Sequence, residues 1–195
     1  MQRTIVNPLY RDTVRFIKTS AETGGQYSLF ELTLLPGGAN PPHIHTSFAE
    51  TFTAVEGILG IRLKKRAFFL KPGESYTVQK NEVHNFFNGT NQEIRFTVRF
   101  EPGFEGMENL LCIMYGMATD GLTTKKGIPK NLAVAAMLME MGNSYPTGLF
   151  SLLRPVLARL AKRAIKKGLD RMLIDKYCGV IRQARVNAGM EVVVD

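Results

Sequence analysis

The chain contains only three histidines, and all three lie in two short segments that also hold one well-placed glutamate. His43 and His45 are two residues apart, so an extended strand would direct both imidazoles to the same face. Glu50 follows five residues later, an odd step that requires a bend through residues 46–49 before the carboxylate can return to that face. Because His84 comes much later, only a closed barrel or sandwich can place it beside the other three side chains.

Three imidazole nitrogens and one carboxylate suit a divalent transition metal better than Mg²⁺ or Ca²⁺, which favour oxygen ligands. We therefore predict one bound ion of Fe, Mn, Ni, Zn or Cu, a choice that the residues themselves leave open. A His-x-His pair by itself is weak evidence for a metal, because such pairs are common on protein surfaces. The alternative to a metal site is therefore a barrel that keeps these residues but binds small molecules or serves as a scaffold without a metal.

Two spaced motifs surround these residues. The first contains Gly37, His43, His45, Glu50 and Gly57, and the second contains Gly73, Gln79, Asn81, His84 and Asn88. Together they resemble the paired motifs of the cupin superfamily, small β-barrels that hold a metal ion on three histidines and one glutamate. The resemblance implies that His43, His45, Glu50 and His84 are the metal ligands, and that Asn88 makes a structural hydrogen bond at the end of the second motif.

The second motif departs from the usual cupin pattern at two positions. Gln79 and Asn81 stand where family members usually carry proline and glycine. Asparagine tolerates a left-handed backbone better than most residues, so we expect the turn at Asn81 to be kept. We expect Gln79 to lie outside the barrel.

The fold class that follows is mainly β. Residues 1–103 read as short strands separated by turns, and residues 94–100 alternate clearly between apolar and polar side chains. We predict a double-stranded β-helix, the cupin or jelly-roll barrel, over residues 1–103. Residues 104–195 are predicted to form an α-helical C-terminal extension that packs on the barrel, on a dimer partner, or on both.

Within this extension, apolar spacing predicts four helices, over residues 104–117, 130–141, 149–167 and 169–185. Pro155 should either begin or kink the third of them. Residues 149–185 carry ten basic and two acidic side chains, so most of the net charge of +8 belongs to this segment. The favoured interpretation is a set of packed helices with a solvated basic face and a homodimer interface. Contact with an anionic membrane surface is the second interpretation, and nucleic-acid binding is not expected.

Strand parity also predicts what surrounds the metal. Phe52 shares a face with Glu50, and Phe86 and Asn88 share a face with His84, so we expect these three residues to line a pocket. A largely apolar pocket beside a metal suits a small aromatic or hydrophobic ligand. The two phenylalanines could equally be barrel core, and these roles do not exclude each other.

Other sequence features narrow the function classes. Cys112 and Cys178 are both flanked by apolar residues and are expected to be reduced packing residues, which fits a cytoplasmic protein. We find no apolar run typical of a signal peptide or a membrane span. The sequence lacks Gly-x-Gly-x-x-Gly and phosphate-loop motifs, so no nucleotide cofactor is expected.

The cupin resemblance implies a metal centre but leaves the activity open. Proteins with this ligand set include dioxygenases, decarboxylases, isomerases and proteins that only bind ligands. We favour a metal-dependent dioxygenase-type reaction on a small apolar or aromatic substrate, with Glu50 as catalytic base. The alternatives are a regulatory or ligand-binding cupin without turnover, and a cupin that contacts membranes through its basic tail.

Overall fold

The computed structural model describes residues 3–64 and 66–179, and within them eleven strands form two antiparallel sheets. Strands β1 to β6 are Thr4–Asn7, Asp12–Lys18, Ser28–Leu34, His43–Ile44, Ala49–Glu56 and Leu59–Leu63. Strands β7 to β11 are Arg66–Leu70, Ser75–Val78, His84–Phe87, Ile94–Glu101 and Tyr145–Pro146. One sheet has the order β1-β2-β3-β10-β5-β8, and the other has the order β11-β4-β9-β6-β7. This arrangement confirms the predicted double-stranded β-helix.

Strand β10 shows why the alternating pattern predicted the fold. It lies between β3 and β5 in the larger sheet, and its four apolar side chains are all buried. They meet the apolar face of the smaller sheet, where the ring centroids of Phe96 and Phe86 are 5.2 Å apart. Burial of one face of each sheet therefore holds the two layers together.

Four α-helices follow β10 in the described part of the chain, and β11 lies between the second and the third. They are α1 (Glu105–Thr119), α2 (Leu132–Met141), α3 (Arg154–Lys166) and α4 (Leu169–Tyr177). The third begins later than predicted, because Gly148–Leu153 forms a 3-10 helix and Pro155 occupies the first turn of α3. Proline lacks an N–H donor, so the first turn is the place in an α-helix that accepts it readily. Residues 180–185 of the fourth predicted helix lie outside the described residues.

The helices pack on the barrel and on one another. Helix α1 contacts β1, α2 and α4, while α3 packs against α2 through the buried Ala161 and Ala164. Apolar side chains of the helices and of the strands form one continuous core. Cys112 and Cys178 are both buried and are not joined by a disulfide, as predicted. Within residues 3–64 and 66–179, none of the helices is long and apolar enough to cross a bilayer.

Several apolar side chains of the last two helices and the segment before them remain exposed. They are Leu152, Leu153, Val156, Ile165 and Met172. The basic side chains of α3 lie mainly on the side of the helix away from Ala161 and Ala164. The homodimer and the membrane contact proposed for this extension both stay predictions.

A buried carboxyl group joins the barrel to α1. Asp12, the first residue of β2, is only 3% exposed, and the Tyr115 hydroxyl of α1 donates a 2.6 Å hydrogen bond to its Oδ2 atom. Burial raises the pKa of Asp12 from 3.8 to about 7, although the Tyr115 hydrogen bond acts in the opposite direction. The folded protein therefore favours the neutral form of this side chain.

We expect Asp12→Asn to stabilise the protein at pH 8. In the unfolded chain Asp12 has an ordinary pKa, so the folded state binds more protons between about pH 4 and pH 7 and loses stability as the pH rises through that window. About three pKa units correspond to roughly 4 kcal/mol of unfolding free energy, a penalty that a neutral amide avoids. Urea unfolding of both proteins at several pH values measures the difference. A difference that stays constant from pH 4 to pH 8 would contradict the prediction.

Candidate metal centre

The two sheets bring the four predicted ligands together. His43 of β4 and His84 of β9 are direct cross-strand partners in the smaller sheet. Glu50 lies near the start of β5 in the larger sheet, and His45 directly follows β4. One ligand atom from each of the four side chains lies within 4.8 Å of the other three. Among the described residues, this group could therefore hold a metal ion.

The predicted bend between His45 and Glu50 is present. Strand β4 ends at Ile44 and β5 begins at Ala49, so residues 45–48 form a loop between the sheets. The loop carries the chain from one sheet to the other and allows Glu50 to face the histidines. Sequence spacing thus predicted correctly that a continuous strand could not supply both ligands.

In each of the three histidines, Nδ1 contacts a backbone carbonyl oxygen. Nδ1 of His43 lies 2.8 Å from the Pro41 carbonyl oxygen, and Nδ1 of His84 lies 2.9 Å from the Glu82 carbonyl oxygen. Nδ1 of His45 lies 2.9 Å from the carbonyl oxygen of Asn143. A carbonyl oxygen can only accept, so each Nδ1 carries the proton. The Nε2 atoms are left to face the centre of the group, the arrangement that metal-binding imidazoles require.

The separations between the candidate ligand atoms are close to those expected around a single ion. Nε2 of His43 is 3.0 Å from Nε2 of His45, and Oε2 of Glu50 is 2.7 Å and 3.4 Å from Nε2 of His84 and of His45. Bonds of about 2.1 Å to one metal ion place neighbouring ligands roughly 3.0 to 3.4 Å apart. Two of the three separations lie in this range, and the shortest, between Glu50 and His84, is a hydrogen-bond distance. The donor types suit a divalent transition metal, whose identity the site leaves open.

The electrostatics of the group also favour a cation. Burial would raise the pKa of Glu50, but hydrogen bonds with His45 and His84 outweigh burial and hold it well below its usual range. Burial together with the two neighbouring imidazoles lowers the pKa of His43 to about 3, so its ring is neutral.

His84 behaves differently from His43. Burial would lower its pKa, but the hydrogen bond to Glu50 and the charge of that carboxylate raise it. The hydrogen bond from Nε2 of His84 to Glu50 occupies the position in which a metal ion would bind both groups and neutralise the carboxylate. Metal binding at this site is accordingly expected to release a proton.

Aromatic side chains enclose the ligands. Phe48 stacks on His45 with ring centroids 4.4 Å apart, and the ring centroid of Phe100 lies 4.7 Å from that of Phe48. The ring centroid of Phe52 lies 6.2 Å from that of His84 and 6.1 Å from that of Phe86. Phe52 is thus a core residue beside the site, and Phe86 is a core residue that lies against Phe52. Their role in lining a substrate pocket stays a prediction.

The remaining residues of the second motif have structural roles. Asn88 donates from Nδ2 to the carbonyl oxygens of Leu34 and Gln92, and its Oδ1 accepts from the Thr90 N–H. These bonds hold the turn between β9 and β10, while its predicted place in a pocket stays untested. Asn81 has a left-handed backbone with φ of 67°, and Gln79 is exposed, both as expected.

Two neighbours of the candidate metal ligands were not predicted from the sequence. Phe48 lies in the loop between His45 and Glu50, where its aromatic character was the only available signal. Asn143 lies 98 residues after His45 in the helical extension, and no local pattern connects the two.

Comparison with known proteins agrees with this geometry. The cupin domain family matches residues 30–100, a range that contains all four candidate ligands. A probable germin-like protein, subfamily 2 member 5, from Arabidopsis thaliana is 26% identical over 103 residues, which are 50% of this chain and 48% of that protein. The chain thus spans about half the length of the curated relative that it matches.

Two solved structures illustrate the similarity. The polyketide cyclase RemF from Streptomyces resistomycificus is 28% identical, with a TM-score of 0.43 over 47% of this chain and 65% of that chain. KdgF from Halomonas sp. is 16% identical, with a TM-score of 0.46 over 52% of this chain and 88% of that chain. The family match, the two antiparallel sheets and the clustered candidate ligands together identify residues 30–100 as a cupin domain.

Proposed function

We propose that this protein is a metal-dependent enzyme of the dioxygenase type that acts on a small apolar or aromatic substrate. The observation that carries the proposal is the convergence of three oriented Nε2 atoms and the Glu50 carboxylate on one point. His43, His45, Glu50 and His84 would hold an iron, manganese, nickel or copper ion, which would supply a redox-active Lewis acid there.

The protein's own groups have separate tasks in this proposal. The Nδ1 hydrogen bonds fix the ring planes of the three histidines, so the site is organised before a ligand arrives. Phe48 and Phe100 keep water from one side of His45 and lower the local polarity. An apolar surrounding of this kind favours an aromatic substrate over a charged one.

Glu50 is the proposed catalytic base. Its carboxylate is ionised at neutral pH and buried, and its Oε2 atom lies against His84. To accept a substrate proton, the carboxylate must first give up part of its contact with the ligand group, because its present partners lower its affinity for protons. The same carboxylate can therefore act as ligand and as base at different stages.

Oxygen uptake tests this function directly. Protein loaded separately with Fe²⁺, Mn²⁺, Ni²⁺, Cu²⁺ or Zn²⁺ is mixed with flavonol and catechol probes in an oxygen electrode, beside chelator-treated protein. We expect uptake above background for at least one redox-active metal and none for the Zn²⁺ or chelated forms. Tight binding of the probes without oxygen uptake or product for any metal would instead indicate a ligand-binding cupin without turnover.

A further inference from the structure

Asn143 is a residue of the helical extension that contacts the metal-binding loop of the barrel. It follows α2 in the turn to β11, is 8% exposed and has a left-handed backbone with φ of 49°. Positive φ is uncommon outside glycine and is tolerated best by asparagine and aspartate. A buried residue held in this conformation usually makes specific contacts that offset its strain.

The contacts of Asn143 are directed at one short segment. Its carbonyl oxygen accepts from Nδ1 of His45 at 2.9 Å. Its side-chain Oδ1 accepts from the backbone N–H groups of Thr46 and Ser47 at 2.6 Å and 2.9 Å. Its Nδ2 donates to the Thr46 hydroxyl at 2.8 Å. One residue therefore binds both the ring of a metal ligand and the loop that leads away from it.

That loop determines where two ligands lie. It joins His45 to Glu50 across the two sheets. Because residues 45–48 lie outside the strands, their backbone N–H groups do not take part in the hydrogen-bond ladders of the sheets. The Asn143 amide supplies the acceptor that the loop needs. The carbonyl bond to His45 sets the ring plane and keeps the proton on Nδ1.

The extension holds Asn143 rigidly in this place. The Asn143 N–H donates to the Glu140 carbonyl at the end of α2, and the Tyr145–Pro146 strand pairs with Ile44 and His43. Gly106 of α1 lies so close to α2 that an added Cβ would be 2.0 Å from the Met141 carbonyl oxygen. Asn143 is thus fixed by α2 and β11 on its two sides, with α1 packed against the same turn.

We propose that Asn143 is a positioning residue of the metal centre, and that the helical extension is consequently part of that centre. The inference rests on the proposed metal site and deepens it. It predicts that metal affinity and ligand geometry depend on a residue outside the cupin domain.

The test compares three variants by metal affinity and by spectrum. Asn143→Gly keeps the carbonyl and tolerates the positive φ but removes the side chain. Asn143→Asp keeps the acceptor for the loop. Asn131→Gly is the matched control, because Asn131 caps the other end of α2, about 15 Å away for a ten-residue helix. Co²⁺ affinity is measured by competition with a chelator, and the visible spectrum of the Co²⁺ form reports ligand geometry.

We expect Asn143→Gly to weaken Co²⁺ binding about 10- to 100-fold and to shift the visible bands. The variant keeps the carbonyl bond to the His45 ring, but it removes the amide that holds the loop between His45 and Glu50. Asn143→Asp should restore most of the affinity, and Asn131→Gly should match the native protein in both measurements. Affinity and spectrum unchanged in Asn143→Gly would overturn the inference while leaving the metal site intact. Native protein that binds no Co²⁺ would overturn the proposed function and this inference with it.

A second variant covers the case in which Asn143→Gly does not fold. Thr46→Val removes only the hydroxyl that accepts from the Asn143 amide. It leaves the His45 ring bond and both loop N–H bonds in place, so we expect a smaller loss of affinity with a band shift in the same direction. An unshifted spectrum for Thr46→Val would count against the positioning role.

Discussion

The double variant His84→Ala, Glu50→Ala is expected to lose its bound metal completely. It removes one nitrogen donor and the only carboxylate of the group, and it leaves His43 and His45 as the two remaining donors. Two neutral imidazoles cannot compensate the charge of a divalent ion in a buried site. Elemental analysis of the purified proteins should show the metal content falling from about one ion per chain to below roughly a tenth of an ion. Each ligand contributes to the metal affinity, and metal binding is itself coupled to folding.

The control for this experiment is Glu56→Ala. Glu56 lies at the exposed end of β5, the same strand that carries Glu50, and it forms an ion pair with Arg95 on the surface. It should retain the metal content of the native protein. Metal retained in the double variant would place the binding site elsewhere. A native protein that stays metal-free after reconstitution would identify the cluster as a scaffold without a metal.

The metal identified in this way also directs the later work. Iron, manganese, nickel or copper would support the proposed oxygen chemistry, since each can change oxidation state. Zinc would direct the search to hydrolysis or isomerisation, in which the ion acts as a Lewis acid.

Deleting residues 104–195 is expected to prevent the barrel from folding to a soluble form. The deletion uncovers apolar side chains that belong to one core with α1 and α2. It also leaves buried polar groups without partners: Ser28 loses Glu108, Asp12 loses Tyr115, and His45 loses the Asn143 carbonyl. Uncovered apolar surface promotes aggregation, and each lost buried hydrogen bond costs about 1 to 3 kcal/mol.

Solubility and sedimentation velocity measure this outcome, with a chain ending at residue 179 as the control because it keeps every described helix. We expect the shorter chain to appear in inclusion bodies or as large aggregates, and the control to remain soluble. A soluble barrel of residues 1–103 with an unchanged oligomeric state would show that the extension is an independent unit. The same runs report the mass of the native particle and so test the predicted homodimer.

The ligand set and the strand pattern could both be predicted from the sequence. The His-x-His pair, the odd step to Glu50 and the distant His84 are local spacings, and each limits the backbone geometry that can satisfy it. The alternation of residues 94–100 identified the face of β10 that is buried, because a strand has a side-chain period of two. The left-handed turn at Asn81 was predictable for a similar reason, since few residues tolerate that conformation.

The partners of those ligands were decided by tertiary structure. Nothing near Asn143 in the sequence indicates that it holds His45, and nothing near Asp12 indicates that Tyr115 covers it. Both contacts form only when α1 and α2 pack on the barrel, about a hundred residues along the chain from the groups that they meet. Local spacing determines which face a side chain occupies, whereas the packing of distant elements determines what meets that face. The sequence by itself therefore predicted the candidate metal donors, and only the folded chain determined which groups orient them.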